Sequence, residues 1–241
     1  MNRRAFEELN DRRRVAAGFY FHQRRLRRHH CFAPRFGLCA ALVEIWWEGV
    51  RNGGDVLPSL QLPTPEFVRE IVSRQCRGAY PLELPADEAL LGPADRALFE
   101  LKYKTSDLQE IAMLAAEHGA ASPLELDLQL RHCAALVESR AWPDCRLAPP
   151  VAAVAPDEPG LRLMLLRYAG SGHRMAFLVD PGGACRFFDP NSGEVRFTRA
   201  GDFADWLCDF WEVAGHQRRA PTVGLYRFRP DAPVATSIRG N

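Results

Sequence analysis

Apolar residues along this chain fall into helix-like stripes through the first half and strand-like runs near the C-terminal end. Leu161 to Tyr168 reads as one apolar strand. The run from Ser171 to Phe197 reads as two more, joined by Pro181-Gly182-Gly183, with a third after Asn191-Ser192-Gly193. Val223 to Phe228 alternates as a last strand. His173 opens the first strand of the hairpin and Asp189 closes the second, so loop length decides whether they share a face. A two-residue loop at Gly182-Gly183 puts them on opposite faces. A three-residue loop, Pro181 to Gly183, pairs Asp189 with Met175 and sets it diagonally across from His173.

Helical spacing dominates upstream. Leu38, Leu42, Ile45 and Trp46 form one face of a helix with Glu44 and Glu48 on the other, and Gly53-Gly54 ends it. Residues 55–65 read as a proline-punctuated loop. Thr64-Pro65-Glu66 then opens a helix with the stripe Phe67, Val68, Ile71, Val72 and Cys76, stopped by Gly78. Residues 82–92 read as loop or short helix. Further helices are predicted over 93–104, 105–119 and, from the capping box at Ser122, through Ser139, although the alternation of Leu124, Leu126, Leu128 and Leu130 suits a strand equally well. His118 and His132 in this region read as surface or satisfied core histidines. Residues 142–159 hold five prolines and read as an irregular crossover. Asp202 is placed as the cap of a helix striped with Phe203, Trp206, Leu207, Phe210 and Trp211. The pattern gives an α+β fold, a helical N-terminal half packed on a C-terminal antiparallel sheet. The division expected is a basic helical arm over 1–30, one domain over 31–230, and a tail over 231–241.

Charge changes this picture only locally. The net charge is +1, yet residues 1–36 carry ten arginines against three acids. That arm, with Phe6, Leu9, Val15, Phe19 and Leu26 at loosely helical spacing broken by Gly18, reads first as a solvated helix packing a few aromatics onto the domain. The alternative is a contact for an anionic membrane or an acidic partner. The near-neutral total gives no argument for nucleic acid. Seven cysteines without regular spacing argue for reduced thiols. No run is long enough to span a bilayer and no signal-peptide core follows the N-terminus.

The candidate nucleophile is Cys39, in the first turn of its helix, where unpaired N–H groups depress a thiol pKa, especially beside an imidazolium. Alone, a helical Cys is ordinarily a small buried hydrophobe. His29, His30 and Cys31 with Cys39 match none of the usual zinc spacings, so no metal is expected.

Taken together, Gly37-Leu38-Cys39-Ala40-Ala41-Leu42 followed by Trp46, then Ser171-Gly172-His173, then Phe187-Phe188-Asp189-Pro190-Asn191-Ser192-Gly193-Glu194, resemble the YopT/AvrPphB-type cysteine peptidases of bacterial effectors. The resemblance covers Phe36 to Trp47 and Ser171 to about Trp211. It implies a papain-like fold with a Cys-His-Asp triad: Cys39 the nucleophile, His173 the base, Asp189 the orienting group. It departs from the family at Arg174, where a small residue is usual. It departs again in the stretch Cys31 to Arg35, which has no side-chain amide to serve as an oxyanion donor. Arg35 or His30, beside the Cys39 backbone N–H, are the substitutes considered. The implied activity is endoproteolysis of a specific host protein, without cofactor, by an effector made in the bacterial cytoplasm and exported without a cleaved Sec signal to act in the host cytosol. A secretion chaperone is an implied partner. Glutamine deamidation or transglutamination on the same triad, and a non-catalytic binding module, are the alternatives.

Overall fold

The computed structural model describes residues 1–29, 37–78, 134–142, 159–169 and 171–228. Among these the strands are β1 (Ala17–Tyr20), β2 (Ala134–Ala141), β3 (Gly160–Tyr168), β4 (Ser171–Val179), β5 (Cys185–Asp189), β6 (Gly193–Phe197) and β7 (Thr222–Phe228). The helices are α1 (Arg3–Arg12), α2 (Cys39–Arg51), α3 (Leu57–Gln61), α4 (Pro65–Gly78), α5 (Ala200–Val213) and α6 (His216–Arg219), with a 3-10 helix at Gln23–His29. One antiparallel sheet runs β1-β6-β5-β4-β3-β7-β2. The α+β class and the antiparallel sheet read from the sequence are what the structure has.

The hairpin takes the odd loop. Val179 pairs with Cys185 and Ala176 with Phe188, so Pro181 to Gly183 form a three-residue loop closed by Asp180 N–H to the Ala184 carbonyl at 3.0 Å. Gly183 occupies the left-handed position such a loop requires, at φ 83°. One step along, Met175 lies opposite Asp189, which brings His173 and Asp189 to the same face.

Helices cover both faces of the sheet. On one, α5 lays Phe203, Trp206, Leu207, Phe210 and Trp211 against Met175, Phe177, Phe187 and Phe197. On the other, α2 and α4 pack Leu42, Trp46, Val68 and Ile71 onto Leu163, Leu165, Ala176 and Phe188. Trp46 stacks on Phe188 at 5.6 Å, and its indole N–H donates to the buried Glu194 carboxylate at 2.7 Å. Arg186 and Arg196 also hold Glu194, at 3.0 and 2.6 Å, so the charge is paired rather than orphaned. This ties the Cys39 helix to the strands that carry Asp189.

Four expectations are corrected. The loosely helical spacing over 1–30 resolves into α1, the edge strand β1 and a 3-10 turn. Gly18 is therefore a strand residue, not a helix break. Phe6 and Leu9 are buried on the α5 side, where Asn10 accepts from the Trp206 indole at 2.9 Å and Arg13 pairs with Asp209 at 2.7 Å. Gly193, at φ 108°, lets β1 close onto β6, because a Cβ there would lie 1.9 Å from the Phe19 carbonyl oxygen. The helix predicted through Ser139 is instead, from Ala134 onward, strand β2, an edge partner of β7 with a bulge between Leu136 and Glu138. The proline loop over 55–65 contains the short helix α3. Asp202 lies in the first turn of α5 rather than capping it, since the cap position is Arg199. Thr64 does cap α4, accepting from Phe67 N–H at 3.2 Å. The helices expected over 93–104, 105–119 and 122–133, His118 and His132, nearly all of the crossover, the boundary at residue 30 and the tail over 231–241 lie outside the described residues.

Candidate active site

Cys39 begins α2, and the chain is pinned on either side of it. Gln23 accepts from the Leu38 N–H through Oε1, and Gln75 of α4 accepts from the Ala41 N–H at 3.1 Å. These bonds satisfy part of the helix N-terminus and set its direction. The Cys39 thiol then meets the start of β4, hydrogen-bonding the His173 imidazole and the Arg174 backbone N–H, and keeps partial access to solvent.

His173 is buried, with its Nε2 at 2.6 Å from Asp189 Oδ1. That leaves Nδ1 for the sulfur. Asp189 is 1% exposed and accepts a second bond from the Asn191 N–H at 3.0 Å. Burial alone favours the neutral form of all three groups. Mutual charge outweighs it. Despite burial, the Asp189 charge and hydrogen bond, then the Cys39 contact, raise His173 to about 10. Despite burial, His173 and the Asn191 N–H hold Asp189 to about 2. Despite burial, the His173 hydrogen bond and charge, with the Arg174 cation, lower the Cys39 thiol below its ordinary value. The arrangement favours thiolate, imidazolium and carboxylate in series. Cys185 is the contrast: burial pushes its thiol up.

The structure thus brings Cys39, His173 and Asp189 into one chain of hydrogen bonds. Arg35 and His30, considered as oxyanion donors, lie outside the described residues, as does Cys31. Arg174, the departure from the family pattern, points to the α2 face, where its guanidinium reaches Glu44 at 3.5 Å.

The residue that sequence reasoning missed is Gln23. Its side chain lies between the N-terminus of α2 and the β5–β6 turn, accepting from Leu38 and donating to Asn191 Oδ1 at 2.7 Å. Its own N–H donates to the Pro190 carbonyl at 2.7 Å. A side-chain amide thus lies beside the N-terminus of α2, brought there through the 3-10 turn rather than from the residues just before Cys39. The available signal was that Gln23 is the only side-chain amide between Asn10 and Cys39.

A second histidine completes the surroundings. His216, at the start of α6, stacks on His173 with ring centroids 6.3 Å apart and is 4% exposed. Its Nδ1 meets the Tyr168 hydroxyl at 2.5 Å and Arg219 Nη2 at 3.3 Å. Burial above all pushes His216 down to about 3, against the pull of Asp189 and with the charges of His173 and Arg219 adding to the shift. A cleft of about 300 Å³ opens beside these rings, between Gln23, Gly37 and Leu38 on one side and Asn191, His216 and Arg219 on the other.

Among solved structures the chain is similar to the Pseudomonas avirulence protein AvrPphB, at 17% identity over 80% of this chain and 91% of that one, TM-score 0.43. It is also similar to PatoxP, a cysteine protease-like domain of the Photorhabdus asymbiotica toxin PaTox, at 10% identity over 95% and 58%, TM-score 0.44. No curated protein matches the sequence. Residues 150–224, which carry His173 and Asp189 but not Cys39, match the family model Peptidase C58, the Yersinia/Haemophilus virulence surface antigen, a cysteine peptidase family.

Proposed function

We propose that the chain is a papain-like cysteine endopeptidase in which Cys39 is the nucleophile, His173 the general acid and base, and Asp189 the group that orients the ring. The observation carrying this reading is the continuous contact from the Cys39 thiol through His173 to Asp189 at 2.6 Å, at a helix N-terminus. The Cys39 thiolate attacks the substrate carbonyl, and the developing oxyanion is met by the Cys39 N–H and the Gln23 side-chain amide. The imidazolium passes its proton to the departing amine as the carbon–nitrogen bond breaks. Water then adds to the thioester as the ring takes up its proton, and the thiol is released. The match to a virulence-associated peptidase family supports a protein substrate and action as an exported effector in a host cell.

Iodoacetamide at mildly acidic pH tests the nucleophile: Cys39 reacts well ahead of the other thiols, Cys185 last among the described ones. Equal reaction of all, or protection of Cys39, overturns the reading. Incubation with candidate proteins followed by mass measurement tests the reaction class. New chain termini mean cleavage, whereas a small mass gain at a Gln without new termini assigns glutamine deamidation to the same three residues.

A further inference from the structure

We infer that the cleft beside the site is a subsite for an acidic side chain of the substrate, lying on the side of the departing amine; this rests on the peptidase reading above. The argument begins with a proton. A guanidinium only donates, so the 3.3 Å contact from Arg219 Nη2 makes His216 Nδ1 an acceptor, which suits the Tyr168 O–H at 2.5 Å as well. A neutral imidazole accepting at Nδ1 carries its hydrogen on Nε2. That Nε2–H is buried and has no partner among the described residues, and the residue lines the cleft. A buried donor left unpaired costs about 1–3 kcal/mol, so a neutral ring with a free N–H lies behind this wall and favours negative over positive charge nearby.

The charge of the rim says which acceptor. Arg24 and Arg219 line the same cleft and both are exposed, and neither is ion-paired with a carboxylate among the described residues. His22 lines it too. Asp189 is the one acid there among the described residues, and its carboxylate is buried against His173 and the Asn191 N–H. A backbone carbonyl would leave the charges of Arg24 and Arg219 without a counter-ion, since Arg219 is held only by neutral groups, the Gly215 and Ala214 carbonyls at 3.3 and 3.4 Å, His216 and the Tyr168 ring. A carboxylate supplies the counter-ion both lack, and arginine recognises it with charge-assisted, bidentate geometry.

Position follows from mechanism. The imidazole hands its proton to the leaving amine, so the residues after the scissile bond lie on the imidazole side. Asp189, Asn191 and His216 are the imidazole side of the cleft. The subsite therefore takes Asp or Glu at the first or second position after the cut.

Protection of Cys39 against iodoacetamide by two blocked peptides, alternating Ala-Glu and alternating Ala-Gln, tests this on the full chain. The Glu peptide is expected to protect at about tenfold lower concentration than the Gln peptide, the low end of electrostatic enrichment in a charged cleft. The double variant Arg24→Gln/Arg219→Gln removes that difference. Arg219 also holds the Gly215 and Ala214 carbonyls, so an unchanged far-UV circular dichroism spectrum accompanies the double variant; Arg24→Gln alone, which disturbs no contact of His216, gives part of the loss. Equal protection by the two peptides, no protection by either, or a charge preference that persists in the double variant overturns the subsite while leaving the peptidase reading intact. Failure of Cys39 to react ahead of the other thiols overturns both.

Discussion

Two histidines lie with ring centroids 6.3 Å apart, one at the start of β4 and one at the start of α6, and their surroundings drive them to opposite charge states. Both are more than nine-tenths buried. His173 finds a carboxylate at 2.6 Å and a thiol beyond it, so the charged ring is stabilised well past its desolvation cost. His216 finds a phenol, a guanidinium and the faces of Phe210 and Trp211 at 5.6 and 4.9 Å. None of these repays the loss of water, and the neighbouring cations add to the penalty. Burial therefore does not decide protonation; what faces each ring nitrogen does. The neutral ring also serves the charged one, since it fills the space beside His173 without adding a competing charge.

The largest effect expected from breaking this contrast is at the charged ring. His173→Ala lowers kcat/KM on the order of 10⁴-fold or more, and it shifts Cys39 alkylation toward the ordinary thiol range near about 8.5. In the native protein the alkylation rate is flat across neutral pH. The thiolate forms above the lowered thiol value, and the ion pair persists until pH rises through the raised imidazole value. A native profile that rises steadily toward alkaline pH speaks against the ion pair.

A smaller loss is expected from the uncharged group between the two walls of the cleft. Gln23→Ala reduces kcat by about 100- to 1000-fold, the usual cost of one oxyanion donor. Because glutamine does not titrate, both limbs of the pH profile stay where they were. A loss in KM alone, or a displaced limb, assigns Gln23 to positioning.

The smallest change sharpens the neutral side. Unfolded, His216 protonates near about 6.5; folded, near about 3. Between those values the unfolded chain binds the extra proton, so stability falls as the solution is acidified. The slope is about 1.4 kcal/mol per pH unit. His216→Phe keeps an aromatic ring and removes that contribution, so denaturant midpoints measured from about pH 6.5 down to about pH 5 fall less steeply than in the native chain. His173 acts in the opposite sense. Its raised value gives stability that is full below about 6.5 and is lost as pH rises toward about 10. Identical acid limbs in the native and His216→Phe chains place a charged ring at position 216.

Local order in the residues was enough to determine a good deal. Period-two runs and Pro181-Gly182-Gly183 specify the β4–β5 hairpin, and counting its loop sets His173 and Asp189 on one face, because side-chain parity in a hairpin is a local property. The stripe of α2 and the Thr64-Pro65 start of α4 are local for the same reason. Only the tertiary structure decided the rest. Residues 134–139 have no intrinsic bar to helix, and pairing with β7 makes them a strand. Residues 17–20 become a strand because β6 offers an edge. Gln23 reaches the N-terminus of α2 across a stretch whose length gives no hint of closure, and His216 reaches His173 from more than forty residues away. Contacts between distant segments depend on how whole elements pack, and no window of neighbouring residues carries that information.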